Sequence, residues 1–149
     1  MAMRGEIDLD PRTYLYLFSA DGIQADRDIK KLLETQHVVA DRHPTLSGKV
    51  FQLDYHSQLA VSCVHQATVC DGLLHPDFLF VIDVPSSVSM ERIATRMGQK
   101  DLVFEDPSKL EQRRLLYLEL ARKENAVVLN GQHSVEKLVA MVMDHVGIA

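Results

Sequence analysis

Arg92 and Arg96 stand four residues apart, the spacing that puts two guanidinium groups on one face of a helix. A permanently charged, forked cation of that kind suits a polyanion, and the same pair could equally be a solvated helix face. Directly before them, Phe78 to Val84 (FLFVIDV) is an apolar run broken only by Asp83 and ended by Pro85. Asp41-Arg42 closes a second apolar run, His37 to Ala40, and so stands where parallel α/β sheets keep their functional residues, at the carboxyl end of a strand. A local ion pair is the plainer reading of those two. The seven histidines and two cysteines show neither HxxxH nor Cys/His ligand spacing, so a metal held by protein ligands alone is not expected.

These residues need strands and helices to position them. A run apolar on both faces predicts a parallel strand over 78–84 that is buried on both sides. A helix should follow at once, with Ser86 or Ser87 as N-cap and Met90, Ile93, Ala94 and Met97 on its inner face. Residues 37–40 predict a second strand and Ala126 to Leu129 a third, closed by Gly131. Asp10 before Pro11 is a helix start, continued by Tyr14, Leu15, Leu17 and Phe18. Gly22 should interrupt or end it, with a second helix from about Ala25 to Leu33. Residues 57–70 read as helical. Ser108-Lys-Leu-Glu111 is a capping box launching a long helix through Leu110, Tyr117, Leu118 and Ala121. Ser134 caps a last helix with Val135, Leu138, Val139 and Val142 inward. Strands alternating with helices predict an α/β, three-layer sandwich, a short parallel sheet covered by helices on both faces.

Composition sets the outer bounds. The chain carries a net charge of −5, with 46% hydrophobic and 25% charged residues, which fits one globular domain over 1–149 and argues against nucleic acid as partner. No apolar run reaches membrane-spanning length and no hydrophobic signal core opens the chain. Cys63 and Cys70 fall two turns apart on one expected helix, too far to bridge, which points to a reduced, cytoplasmic protein.

Three pieces in order resemble the thymidylate kinase family: Leu17-Phe18-Ser19-Ala20-Asp21; then Val38-Val39-Ala40-Asp41-Arg42-His43 with Ser47-Gly48 and Phe51-Gln52; then the strand and helix of 78–96. The resemblance runs from about Ile7 to Val146. It implies a P-loop kinase-like fold and transfer of the γ-phosphoryl of ATP to dTMP with Mg²⁺. On matching positions, Phe18 would stack on thymine, Arg42 would hold the acceptor phosphate, and Asp41 would orient that phosphate or the water around the metal. Phe51 and Gln52 would line the base pocket. Arg96 would lie against adenine, with Arg92 as helper. Gly98 to Pro107 would be the lid, carrying Phe104-Glu105. A homodimer, or association with a chain that completes the sheet, is the implied assembly. Phe18 and Phe51 could also be ordinary core residues.

The departures bear on activity. Phosphoryl transfer rests on positioning and charge neutralisation at the transferred group. The chain holds no GxxxxGK[ST] motif, and Ser47-Gly48-Lys49, followed by Val50, does not replace it. Gly22 stands where the family has an arginine for the acceptor phosphate, and Arg27 is more than a turn away. Val103 stands where the lid has an arginine. The chain alone is therefore not expected to be a competent kinase. With no P-loop strand at its centre, the sheet should pair 38–40 directly with 79–83, or take a strand from another chain.

Overall fold

The computed structural model describes residues 10–42, 72–96 and 106–148, and the side chains of a few residues near the start of the first helix, Phe18 among them, lie outside that description. The chain divides into two compact units, one within Asp8–Pro76 and one within Asp77–Ala149.

In the first unit a single helix, α1, runs from Pro11–Leu33. It opens directly after Asp10, as the Asp-Pro pair predicts, and ends with Lys30 and Lys31 in its last turn, where cations suit the helix dipole. Gly22 does not break it. A glycine inside a helix costs only about 1 kcal/mol, which the hydrogen bonds of so long a helix absorb. The strand expected at 37–40 is not formed: those residues carry no regular structure, and Val39 is 98% exposed. Polar contacts tie α1 to the segment at 72–74. Asp26, buried, accepts a hydrogen bond from the Leu74 amide at 2.6 Å and pairs with Lys30 at 2.7 Å. Lys30 also donates to the carbonyl of Gly72, whose φ of +91° is the left-handed geometry that favours glycine.

The second unit is α/β. Strand β1 (Phe80–Asp83) is followed by helix α2 (Ser86–Thr95), helix α3 (Pro107–Lys123), strand β2 (Val127–Asn130) and helix α4 (Val135–Val146). The strands are parallel neighbours, with Phe80 opposite Val127 and Asp83 opposite Asn130. Among the described residues the sheet has these two strands, so β1 pairs with β2 and not with 38–40. Helix α3 packs on both strands and α2 packs on α3. Strand side chains alternate between faces, so Val81 and Asp83 share one side and Phe80 and Ile82 the other. Asp83 meets α3, while the ring of Phe80 meets His145 of α4 edge-on at 5.6 Å. Helices therefore reach both faces, as the three-layer reading expects.

Val81, Leu120, Ala121 and Leu129 form the buried apolar centre. Burial is less even than an apolar strand predicts, for Ile82 is 57% exposed in a strand of four residues with a single partner. Val135 and Val139 of α4, expected inward, are exposed, and Leu138 and Val142 are half-buried. Asp106 caps α3, its Oδ1 accepting from the Ser108 amide at 2.8 Å, so the helix starts two residues before the expected capping box. It ends on Asn125 at φ 54°, with the Ala126 amide donating back to the Ala121 carbonyl at 2.8 Å. Ser134 caps α4 as expected, and Gly147 at φ 74° closes it. Among the described residues no helix is long and apolar enough to cross a membrane.

Candidate functional site

The carboxyl ends of β1 and β2 lie side by side, the position at which open parallel sheets present ligand-binding groups. Asp83 ends β1, and its carboxylate is clamped by Arg114 of α3 in a two-pronged pair, Nε to Oδ1 at 2.6 Å and Nη2 to Oδ2 at 2.8 Å. Such a fork fixes direction as well as charge. The hydrogen bonds from Arg114 hold the Asp83 carboxyl below its ordinary value of 3.8, against a smaller opposing effect of burial. The third arm of Arg114, Nη1, reaches Glu111 Oε1 at 2.8 Å. Held between two carboxylates, Arg114 has its own pKa raised.

Helix α2 has Pro85 at its N-cap position and no side-chain cap of its own, so neither Ser86 nor Ser87 is the cap. Ser86 first and then Arg114 hold the Glu111 carboxyl below its ordinary value. With Asp106 at the N-cap of α3, Glu111 is not the reciprocal partner in a capping box at its own helix start.

The two arginines of α2 differ from the expected pair. Arg92 Nη2 donates to the carbonyl of Gly131, in the turn after β2, at 3.0 Å. Thr95 Oγ1 bonds back to the carbonyls of Glu91 and Arg92, both at 3.1 Å, and the helix stops there. Arg96 has left the helix, at φ −69° and ψ 130°, so the face expected to carry both guanidinium groups ends one residue early. Gly131 is itself required by the packing. A Cβ built on it would fall 2.4 Å from Val84 Cγ2 and 2.7 Å from Ile82 Cγ2. Its amide donates to the Asp83 carbonyl at 2.8 Å, joining the ends of both strands.

In the other unit, Asp41 and Arg42 are exposed, and Arg42 has φ 67°, a conformation uncommon for a residue with a Cβ. Phe18 lies within α1, as does Gly22, which is half-buried. Phe51, Gln52, Phe104, Glu105, Val103, residues 57–70 and all of the expected lid but its last two residues lie outside the described residues. Among the described residues no group of three His, Cys, Asp or Glu could hold a metal ion. Asp83, the acid at the end of β1, is already spent on Arg114.

Comparison with known proteins decides the family. The thymidylate kinase family model matches residues 2–142. The chain belongs to the thymidylate kinase family. It is 30% identical over 128 residues to a probable thymidylate kinase of Methanocaldococcus jannaschii, covering 86% of this chain and 63% of that protein. It is 30% identical over 146 residues to the thymidylate kinase of Kosmotoga olearia, covering 95% and 69% respectively. To the thymidylate kinase of Vibrio campbellii it is 32% identical over 133 residues, 87% and 62%. The chain thus spans between 62% and 69% of the length of these relatives.

Sequence reasoning singled out Arg92 and Arg96 but missed Asp26, Lys30, Glu111 and Arg114. The i, i+4 spacing of Asp26 and Lys30 was a visible signal. The partners of Glu111 and Arg114 across elements were not.

Proposed function

We propose that this chain supplies the dTMP-binding part of a thymidylate kinase and does not turn over alone. The observation that carries this reading is the family match over residues 2–142. In the reaction, an oxygen of the dTMP phosphate attacks the γ-phosphorus of ATP, forming one P–O bond as the bond to the departing ADP breaks. Arg42 holds the acceptor phosphate, Asp41 orients it, Phe18 stacks on thymine, and Phe51 and Gln52 line the base pocket. Arg96, with Phe104 and Glu105 of the lid, serves the ATP side, and Arg92 serves it less directly because its guanidinium already holds Gly131. ATP brings Mg²⁺, which would neutralise charge on the phosphates.

These 149 residues contain no GxxxxGK[ST] motif, and neither Gly22 nor Val103 offers a cation. Removing a single such cation costs orders of magnitude in rate. The purified chain with labelled ATP, Mg²⁺ and dTMP is therefore expected to form no dTDP above the rate without protein. Turnover would overturn the reading, since it would require a phosphate cradle not recognisable in this sequence.

A second reading is a non-catalytic relative that binds a partner, a second copy of itself included. The exposed Tyr16, Leu17, Ile23, Leu32 and Leu33 of α1 favour it.

A further inference from the structure

Asn130 ends β2 and is exposed, and Gly131 follows it, so a side-chain amide stands next to the least hindered backbone nitrogen a chain can offer. The packing keeps it so, for a Cβ at 131 would fall 2.4 Å from Val84 Cγ2 and 2.7 Å from Ile82 Cγ2. The Asn130 side chain is held in place. Its Oδ1 accepts from the Gln132 amide at 2.9 Å, a donor that polarises the side-chain carbonyl and would stabilise negative charge growing on that oxygen. The Gly131 nitrogen is restrained from the other side. Its N–H donates to the Asp83 carbonyl at 2.8 Å, and the Gly131 carbonyl accepts from Arg92 Nη2 at 3.0 Å. A polarised electrophile therefore adjoins a nucleophile that the end of β1 holds back.

We infer that Asn130 is a site of intramolecular deamidation, gated by the hydrogen bond between the Gly131 amide and the Asp83 carbonyl. When that bond opens, the Gly131 nitrogen gives its proton to solvent and attacks Asn130 Cγ. The new N–Cγ bond closes a cyclic imide as the Cγ–Nδ2 bond breaks, and the side-chain nitrogen takes up a proton and leaves as ammonia. A water molecule then opens the imide, at Cγ to give aspartate or at the main-chain carbonyl to give isoaspartate. Either product puts a carboxylate at position 130, opposite Asp83 in the strand register, where the two negative charges repel. Isoaspartate also lengthens the main chain by one carbon, which draws Gly131 away from both Asp83 and Arg92.

The test holds the whole chain in mildly alkaline buffer, folded and in urea, and follows position 130 by peptide mapping with mass spectrometry. Asn125, which precedes Ala126, is the internal reference and should stay intact. Conversion at Asn130 is expected in the folded chain, slower than in urea by about tenfold or more, because it waits for local opening. Arg92→Gln, which releases the Gly131 carbonyl, should speed the folded-state reaction roughly three- to tenfold. No conversion in the folded chain by the time the unfolded chain has fully reacted, or equal conversion at Asn125, would overturn the site. Equal rates folded and unfolded, or a rate in Arg92→Gln no higher than the parent's, would overturn the gate. Should Arg92→Gln fail to fold, the comparison of folded and urea-treated parent chain decides.

Discussion

Asp83 illustrates how much a single side chain's role depends on its neighbour. An acid at the end of a parallel strand invites a catalytic or metal-binding assignment, but both of its oxygens belong to Arg114. The pairing has a consequence for acid stability. A carboxyl whose pKa is depressed on folding contributes stability in full above its unfolded value, and the contribution is lost as pH falls through the folded value. For Asp83 the loss begins near its ordinary value of 3.8 and continues below it. Arg114→Gln removes the cause of the depression, so its urea-unfolding free energy should fall less steeply between about pH 4 and pH 2 than that of the parent chain. Equal slopes would show that the pair is not formed in solution. Gly131 yields a second prediction. A methyl group there meets Val84 and Ile82 well inside contact distance, and valine and isoleucine have little rotamer freedom with which to yield. Gly131→Ala should cost about 1–3 kcal/mol in urea unfolding. A cost near zero would mean that the strand ends are looser than described.

At the scale of elements, the sequence patterns separate into those that held and those that did not, for identifiable reasons. Helix α4 began at Ser134, and β2 ended before Gly131, because cap and turn chemistry are local: the residue that satisfies the backbone lies within a few positions. Asp106 caps α3 on the same local logic, with Oδ1 also accepting from the Ser108 hydroxyl at 2.6 Å. Asp106→Ala should destabilise the chain by about 1 kcal/mol, read from thermal unfolding, and Asp106→Asn by less. The start of α2 departs from expectation because Pro85 takes the N-cap position, and neither Ser86 nor Ser87 caps the helix. The strand at 37–40 was misread because an apolar run shows only that a segment is suited to pairing. Whether it pairs depends on a partner, and in this chain Val39 is almost fully exposed. Gly22 was given too much weight as a helix breaker, for helical continuity is cooperative along the whole of α1.

For the molecule as a whole, alternation of strand and helix was enough to read the α/β class, and the second unit bears it out with its parallel β1–β2 pair. The family was readable from short motifs in order, and the match over residues 2–142 agrees. The candidate site was readable only in part. A residue type such as Arg42 points to phosphate, but contacts made across elements, such as Arg92 with Gly131 and Arg114 with Asp83, leave no periodic trace in the sequence. We propose that Phe18, Arg42, Phe51 and Gln52 form a dTMP pocket in a chain without a phosphate-transfer machine. Calorimetric titration of the whole chain with dTMP, repeated with Arg42→Ala, tests it most directly. Micromolar binding that weakens at least tenfold in Arg42→Ala is the expected result. No heat from a chain shown by circular dichroism to be folded, or affinity unchanged in Arg42→Ala, would contradict the account.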